Sequence, residues 1–387
     1  MKTGKIILPI IVLSQFCCTS LWFAGNAVML DLVKVYGLQS NVLGHLTSAV
    51  QFGFISGTLF FAVLSIADRF SPSKVFFASA IMGAIFNISS IWEGQTLSTL
   101  LILRFLTGFF LAGIYPVGMK IAADYFNKGL GLSLSFLVGA LVLGTAFPYL
   151  LNGISEGFFW QDVLITTSFM ACVGGLLILV LVPNGPYRKP NLKPDLSAFF
   201  KVFEKKKFRS AAFGYFGHMW ELYAFWAFVP ILLKSYNMKN EQADLNVALL
   251  SFLVISVGGL SCVIGGYLSK HYGPKRIAMT ALVLSCLCCL VSPWMLNVIN
   301  GYVFITFLLL WGMFVIADSP LLSTLVAQNA EPKTKATALT IVNCIGFAIT
   351  IISIQLLNSL TFIIESSYIY ILLAIGPILG LIALRKA

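Results

Sequence analysis

Four ionisable side chains stand inside long apolar stretches of this 387-residue sequence: Arg104, His218, Glu221 and Asp318. Placing such a group in hydrocarbon costs at least about 2.5–3.5 kcal/mol, so each is expected to face a cavity and to act on something there. Arg104 stays charged in any protein setting and needs an anion, which Glu221, Asp318 or a bound solute can supply through a forked carboxylate or phosphate contact. Its alternative role is a staple, paired permanently with one acid. Tyr215, His218 and Glu221 recur every three residues and therefore share one helix face, presenting a phenol, an imidazole and a carboxyl. Apolar surroundings favour the neutral form of Glu221 and a nearby cation its charged form, a balance that suits a proton carrier; a fixed ion pair is the alternative. His218 reads equally as a coupling or substrate residue and as a hydrogen-bonded structural histidine. Asp318 precedes Ser319 and Pro320, and a proline frees carbonyls one turn earlier, so the carboxyl can carry a proton, hold a cation or ammonium, or cap the break. Gln15, Trp22 and Asn26 add hydrogen-bonding groups and a stacking face to the same lining, or simply pack. Trp220, Tyr223 and Trp226 are expected to face lipid or core rather than cargo.

The elements that hold these groups are set by composition. Hydrophobic residues make up 59% of the chain and charged residues 10%, with a mean hydropathy of +0.93, more apolar than a water-soluble core of this length requires. Stretches of about 20 apolar residues recur, each long enough to cross the bilayer as a helix. An alternating barrel pattern is absent, and lipid offers backbone amides no partner outside the helix. The sequence predicts an all-α membrane protein with twelve transmembrane helices. They run over Ile6–Leu30, Val42–Ile66, Val75–Trp92, Leu97–Ile121, Gly131–Ile154, Val163–Val182, Ser210–Leu233, Leu245–Ser269, Ile277–Leu296, Tyr302–Ala327, Lys335–Leu360 and Phe362–Leu384. Lys2 and Lys5 before the first run resemble a signal peptide, but the run is too long and is expected to remain a span.

The net charge of +11 follows topology rather than nucleic acid. Basic residues crowd one set of loops, from Arg69 and Lys74 through Lys120, Lys128, Arg188–Arg209, Lys270, Lys275, Arg276, Lys333 and Lys335 to Arg385 and Lys386. The opposite loops carry Asp31, Glu93, Glu156, Asp162, Glu241, Asp244 and Glu365 beside three lysines. The positive-inside bias puts both termini in the cytoplasm, in a cytoplasmic (inner) membrane. The eight cysteines fall inside spans without metal-site spacing and read as packing residues, so neither disulfides nor a metal nor any cofactor is expected. One hydrophilic stretch, residues 184–209 with the run Lys205, Lys206 and Lys207, separates a six-helix bundle at 1–183 from another at 210–387. It is expected to be a solvated linker near anionic lipid headgroups.

The bundles look alike. Ala112-Gly113-Ile114-Tyr115-Pro116 and Ala317-Asp318-Ser319-Pro320 place a small residue before a proline at matching points of the fourth and tenth spans. Ala67-Asp68-Arg69-Phe70-Ser71-Pro72-Ser73-Lys74 matches Gly266-Tyr267-Leu268-Ser269-Lys270-His271-Tyr272-Gly273-Pro274-Lys275-Arg276 after the second and eighth spans. In these loops, and in Arg104-Phe105-Leu106-Thr107-Gly108 on the fourth span, the chain resembles the major facilitator superfamily. The likeness covers essentially the whole chain and is weakly similar to the nitrate, nitrite and cyanate porter branch, although the buried arginines of nitrate porters on spans two and eight are missing. It implies two pseudo-symmetric bundles with the first, fourth, seventh and tenth helices around a central cavity. It also implies a gating latch at Asp68, Arg69 and Lys275; Leu64, Ser71 and Lys270 depart from the pattern, the last removing the second loop's acid. For Arg104 the resemblance implies substrate binding or proton coupling.

No phosphate-binding Gly-rich loop and no room for an ATPase domain exist, so the energy is expected to come from a gradient. The expected activity is secondary active transport of a small solute (an organic anion, amino acid or other metabolite) by alternating access, with protons as coupling ion. Uptake is favoured because Gly139, Gly144 and Pro148 do not form the Gly-x-x-x-Gly-Pro pattern of proton-driven exporters. Export of drugs, metabolites or siderophores stays open, as does a receptor or lipid-handling scaffold of transporter shape. No catalytic residue or enzymatic role is expected, and the partners expected are the solute, protons and membrane lipid around a monomer.

Overall fold

The computed structural model describes residues 3–39, 42–126, 130–154, 159–188, 202–240, 243–331, 335–363 and 367–385. Residues 189–201 of the expected linker lie outside them, as do Lys2, Lys128, Glu156, Glu241, Lys333, Glu365 and Lys386. Within them the chain is helical throughout, without a strand. Eleven helices are long and apolar enough to cross a bilayer, and a twelfth is shorter. We label the twelve α1 (Ile6–Thr19), α2 (Val42–Val63), α3 (Pro72–Ile91), α4 (Leu97–Tyr125), α5 (Gly131–Ile154) and α6 (Trp160–Leu181), then α7 (Lys206–Lys239), α8 (Val247–Tyr272), α9 (Pro274–Met295), α10 (Gly301–Asn329), α11 (Thr337–Thr361) and α12 (Tyr368–Arg385).

The ends of these helices follow local chemistry. Thr96 and Thr99 cap the start of α4 reciprocally, Asn246 caps α8 through Leu249 N–H, and Asn300 caps α10, each meeting amides that the first turn leaves open. Pro72 and Pro274 stand in the first turns of α3 and α9, where the missing N–H costs nothing. Two expected boundaries move. The seventh helix already begins at Lys206, inside the segment expected as linker, and runs 34 residues to Lys239.

The first span, expected to be continuous to Leu30, breaks after Thr19 and resumes as Ala24–Ala27 and Met29–Val35. At the break Thr19 Oγ1 donates to Gln15 O at 2.8 Å and Ser20 Oγ to Cys17 O at 2.7 Å, so side chains engage carbonyls of the last turn. In α4 and α10 the interruptions fall where the prolines predict, with Pro116 and Pro320 opening the second segments.

The halves meet along two seams, α5 on α8 and α2 on α11. Gly139 and Gly259 face one another across the first, where a Cβ on either would lie 3.0 Å from the other's carbonyl oxygen. Gln355 Nε2 crosses the second to Gly44 O at 3.0 Å and Ser48 Oγ at 2.8 Å.

Candidate functional site

The break in α1 leaves carbonyls without helical partners, and Arg104 of α4 takes them. Its Nη1 and Nη2 each donate to Leu21 O at 3.3 Å, Nη2 also to Trp22 O at 2.5 Å, and Nη1 to Asn87 Oδ1 at 3.2 Å. Asn87 in turn donates to Ser168 Oγ at 2.9 Å and Thr167 Oγ1 at 3.2 Å on α6. The guanidinium is 3% exposed, and among the described residues no acid lies within ion-pair distance of it. The anion expected from Glu221 or Asp318 is replaced by carbonyl dipoles, because a broken helix end supplies concentrated negative charge of its own. The staple thus joins α1, α3, α4 and α6 rather than an arginine and an acid.

The acids sit in the second half. His218 and Asp318 approach at 2.8 Å between Nδ1 and Oδ1, each 1% exposed. The contact lacks hydrogen-bond alignment, and His218 Nε2 has no partner. Asp318 occupies the interruption of α10: its carbonyl accepts from Leu321 N at 3.0 Å and Leu322 N at 2.8 Å, but its side chain caps nothing. The carboxyl is turned to His218 instead of to the helix end.

One turn further along α7, Glu221 Oε1 accepts from Trp311 Nε1 at 2.7 Å and from Cys289 Sγ at 3.2 Å. No cation lies within ion-pair distance of it among the described residues. Tyr215, on the same face, donates to Asn343 Oδ1 of α11 at 2.9 Å. The three residues expected to act together thus reach three neighbours: α11, α10 at its break, and the α9–α10 interior.

Between the halves lies a ring cluster. Trp22 stacks on Tyr223 and on Phe347, each with centroids 5.7 Å apart, and tilts against Phe54 at 4.9 Å; Tyr223 meets Trp226 at 5.3 Å. Tyr223 and Trp226, expected at lipid or in a core, lie at the centre against Trp22 and Phe23, in the break after α1. Trp220 reaches outward to α12, donating to Leu372 O. Asn26 bonds Thr47 at 2.8 Å, while the Gln15 amide is buried beside Gly118 without a partner. Among the described residues no group of three His, Cys, Asp or Glu side chains is placed to hold a metal.

The Major Facilitator Superfamily model matches residues 11–354. The chain belongs to this superfamily. Its fold superposes on the human organic anion transporter MFSD10 (TETRAN) with a TM-score of 0.77 at 14% identity, covering 98% of this chain and 99% of that one. The proton:xylose symporter XylE bound to 6-bromo-6-deoxy-D-glucose gives 0.78 at 13% identity, over 100% and 96%. No curated protein sequence matches. Superfamily membership makes this a multi-pass membrane protein of transporter fold; the nitrate-porter likeness gains no support.

At the superfamily's loop motif, Asp68 Oδ1 lies 3.0 Å from Lys120 Nζ, which also reaches Asp124 at 3.6 Å, and Arg188 Nη2 bonds Asp68 O at 3.1 Å and Phe70 O at 2.7 Å. Arg69 makes no ion pair among the described residues, and Lys275 borders a surface groove. Sequence reasoning missed Lys120, Asn87, Trp311 and Cys289. A lone Asn in the apolar third span and a Trp seven residues before Asp318 were the available signals.

Proposed function

We propose that this chain is a proton-coupled secondary transporter that moves a small solute by alternating access, with His218 and Asp318 as its coupling pair. The observation that carries this reading is the placement of two titratable side chains 2.8 Å apart, almost fully buried, at the interruption of α10. A charged carboxylate holds α7 to α10 through His218; a proton on Asp318 cancels that attraction and releases α10 to bend at Ser319 and Pro320. Glu221 is assigned a holding role, since two aligned donors fix it, whereas the His218 contact is unaligned and free to rearrange.

The cargo site proposed is the seam where Trp22, Phe54, Tyr223 and Phe347 meet. Arg104 is committed to carbonyls, so recognition rests on ring faces and neutral polar groups such as Gln15. A small metabolite with a flat or apolar face suits that lining. Residues 1–183 and 210–387 are proposed as the two rocking bodies of a monomer, tethered by 184–209. The bias of basic residues toward the Arg69, Lys120 and Lys275 loops supports cytoplasmic termini, and the spacing of Gly139, Gly144 and Pro148, which departs from the exporter pattern, favours uptake as the direction. The organic anion transporter and the proton:xylose symporter support the reading through fold alone.

The test begins with a ligand-stability screen at two pH values to find cargo, since binding raises apparent stability by mass action. An inward proton gradient is then imposed on proteoliposomes. Accumulation in the native protein, lost in Asp318→Asn with binding intact, supports the proposal; equal accumulation in both sinks it.

A further inference from the structure

The loops after α2 and after α8 are built differently, and the difference leaves an open basic groove. Aligning Pro72 with Pro274 sets Asp68 against Lys270 and Lys74 against Arg276; aligning Pro116 with Pro320 sets Lys120 against Thr324 and Asp124 against Gln328. In the first half Asp68, Lys120 and Asp124 form one charge cluster. The segment from Pro183 to Arg188 lies over it, with Tyr187 N–H donating to Asp124 O at 3.0 Å and Tyr125 to Pro183 O at 2.5 Å. The second half keeps neither the acids nor the lysine. At the corresponding place, between the start of α9 and the end of α10, a groove of about 720 Å³ opens. Lys275 and Arg276 border it at the loop end, Met279, Val283 and Leu284 line it deeper along α9, and Gln328 stands across from them. Among the described residues neither Lys275 nor Arg276 has an acid within ion-pair distance. Lys270 lies over the Tyr267 ring at 5.2 Å, and Glu331, just beyond α10, pairs with Lys205 at 2.6 Å.

We infer that this groove binds one anionic phospholipid, its phosphate between Lys275 and Arg276 and an acyl chain along Met279, Val283 and Leu284. Two cations at the loop end followed by an apolar wall running into the span reproduce the order of headgroup and chain in a lipid. A soluble anion would leave the wall unused. Lys205, and Lys206, Lys207 and Arg209 in the first turn of α7, carry the same sign as the groove and cannot neutralise it. The lipid phosphate thereby neutralises cations that the second half, with Lys270 where the first has Asp68, leaves without an acid. The inference needs only a membrane setting and stands apart from the proton-coupling proposal.

The full chain in detergent is titrated with mixed micelles of phosphatidylglycerol, of phosphatidylcholine with the same acyl chains, and with inorganic phosphate, reading the unfolding midpoint and lipid adducts by native mass spectrometry. Phosphatidylglycerol should raise the midpoint saturably and stay bound as one adduct. Replacing both cations, Lys275→Gln with Arg276→Gln, should weaken that binding by about thirtyfold, from roughly 1 kcal/mol per basic residue. The charge-preserving swap Lys275→Arg with Arg276→Lys should keep it and serves as the folding control. An equal rise with phosphatidylcholine, or full phosphatidylglycerol binding in the double Gln variant, overturns the inference. A matching effect from inorganic phosphate alone overturns it in favour of a free-anion site.

Discussion

Replacing Arg104 by Met separates a staple from a cargo ligand. The substitution keeps an extended side chain in a site only 3% exposed but removes every donor that Leu21 O and Trp22 O share. Each carbonyl left buried and unpaired costs about 1–3 kcal/mol, so the two together cost about 2–6 kcal/mol. Hydrogen bonds inside membranes average nearer 0.6 kcal/mol, and burying a cation is no longer required, so the lower part of that range, about 2–4 kcal/mol, is expected. Asn87 keeps its bonds to α6, but its Oδ1 also loses the Arg104 donor, so the damage centres on the junction of α1, α3 and α4. Denaturant unfolding in mixed micelles reads the stability change, and ligand-induced stabilisation reads cargo affinity in the folded fraction. Arg104→Lys, with one compact ammonium, should fall between Met and the native residue because it cannot fork to both carbonyls. Unchanged stability together with abolished cargo binding would refute the staple and return Arg104 to the cargo.

Four further substitutions follow from the structure. Trp311→Phe strips Glu221 of its 2.7 Å donor and should cost about 1–3 kcal/mol, while Glu221→Gln keeps the acceptor and should cost under about 1 kcal/mol with proton-driven transport retained; unfolding midpoints and proteoliposome uptake check both. Gly108→Val puts a branched side chain where even a Cβ would overlap the Val50 carbonyl of α2, and loss of folded, monodisperse protein in size-exclusion chromatography is expected. Asp68→Asn breaks a partly exposed ion pair, so stability should shift by no more than about 1 kcal/mol while the rate of exchange between transport states changes, measured by single-molecule distance fluctuations.

The spans were legible because length and apolarity are local properties, and the interruptions of α4 and α10 because Pro116 and Pro320 announce them. The break after α1 carries neither proline nor glycine at Thr19–Phe23, and the hydroxyl-to-carbonyl bonds of Thr19 and Ser20 that flank it also occur in unbroken helices, at Thr107 and Thr167. Arg104 was readable as a buried cation but not as a partner of Leu21 and Trp22, since carbonyls freed in another helix leave no mark in residue types. His218, Glu221 and Asp318 were readable as deep groups, and the three-residue spacing placed Tyr215, His218 and Glu221 on one face. It could not tell which acid meets which neighbour. That depends on how α10 passes α7, bringing Asp318 to His218 and Trp311, two turns away, to Glu221. Lys120 looked like one more basic loop residue because its pairing with Asp68 crosses from one loop to the end of another helix.

The central claim is that Asp318 takes the coupling proton. Cargo-dependent proton movement into proteoliposomes, followed with a trapped pH dye, tests it most directly in the native protein and Asp318→Asn. The account predicts acidification on adding cargo to the native protein, and in the variant cargo exchange without proton movement. Cargo-driven acidification of the same size in both would contradict it.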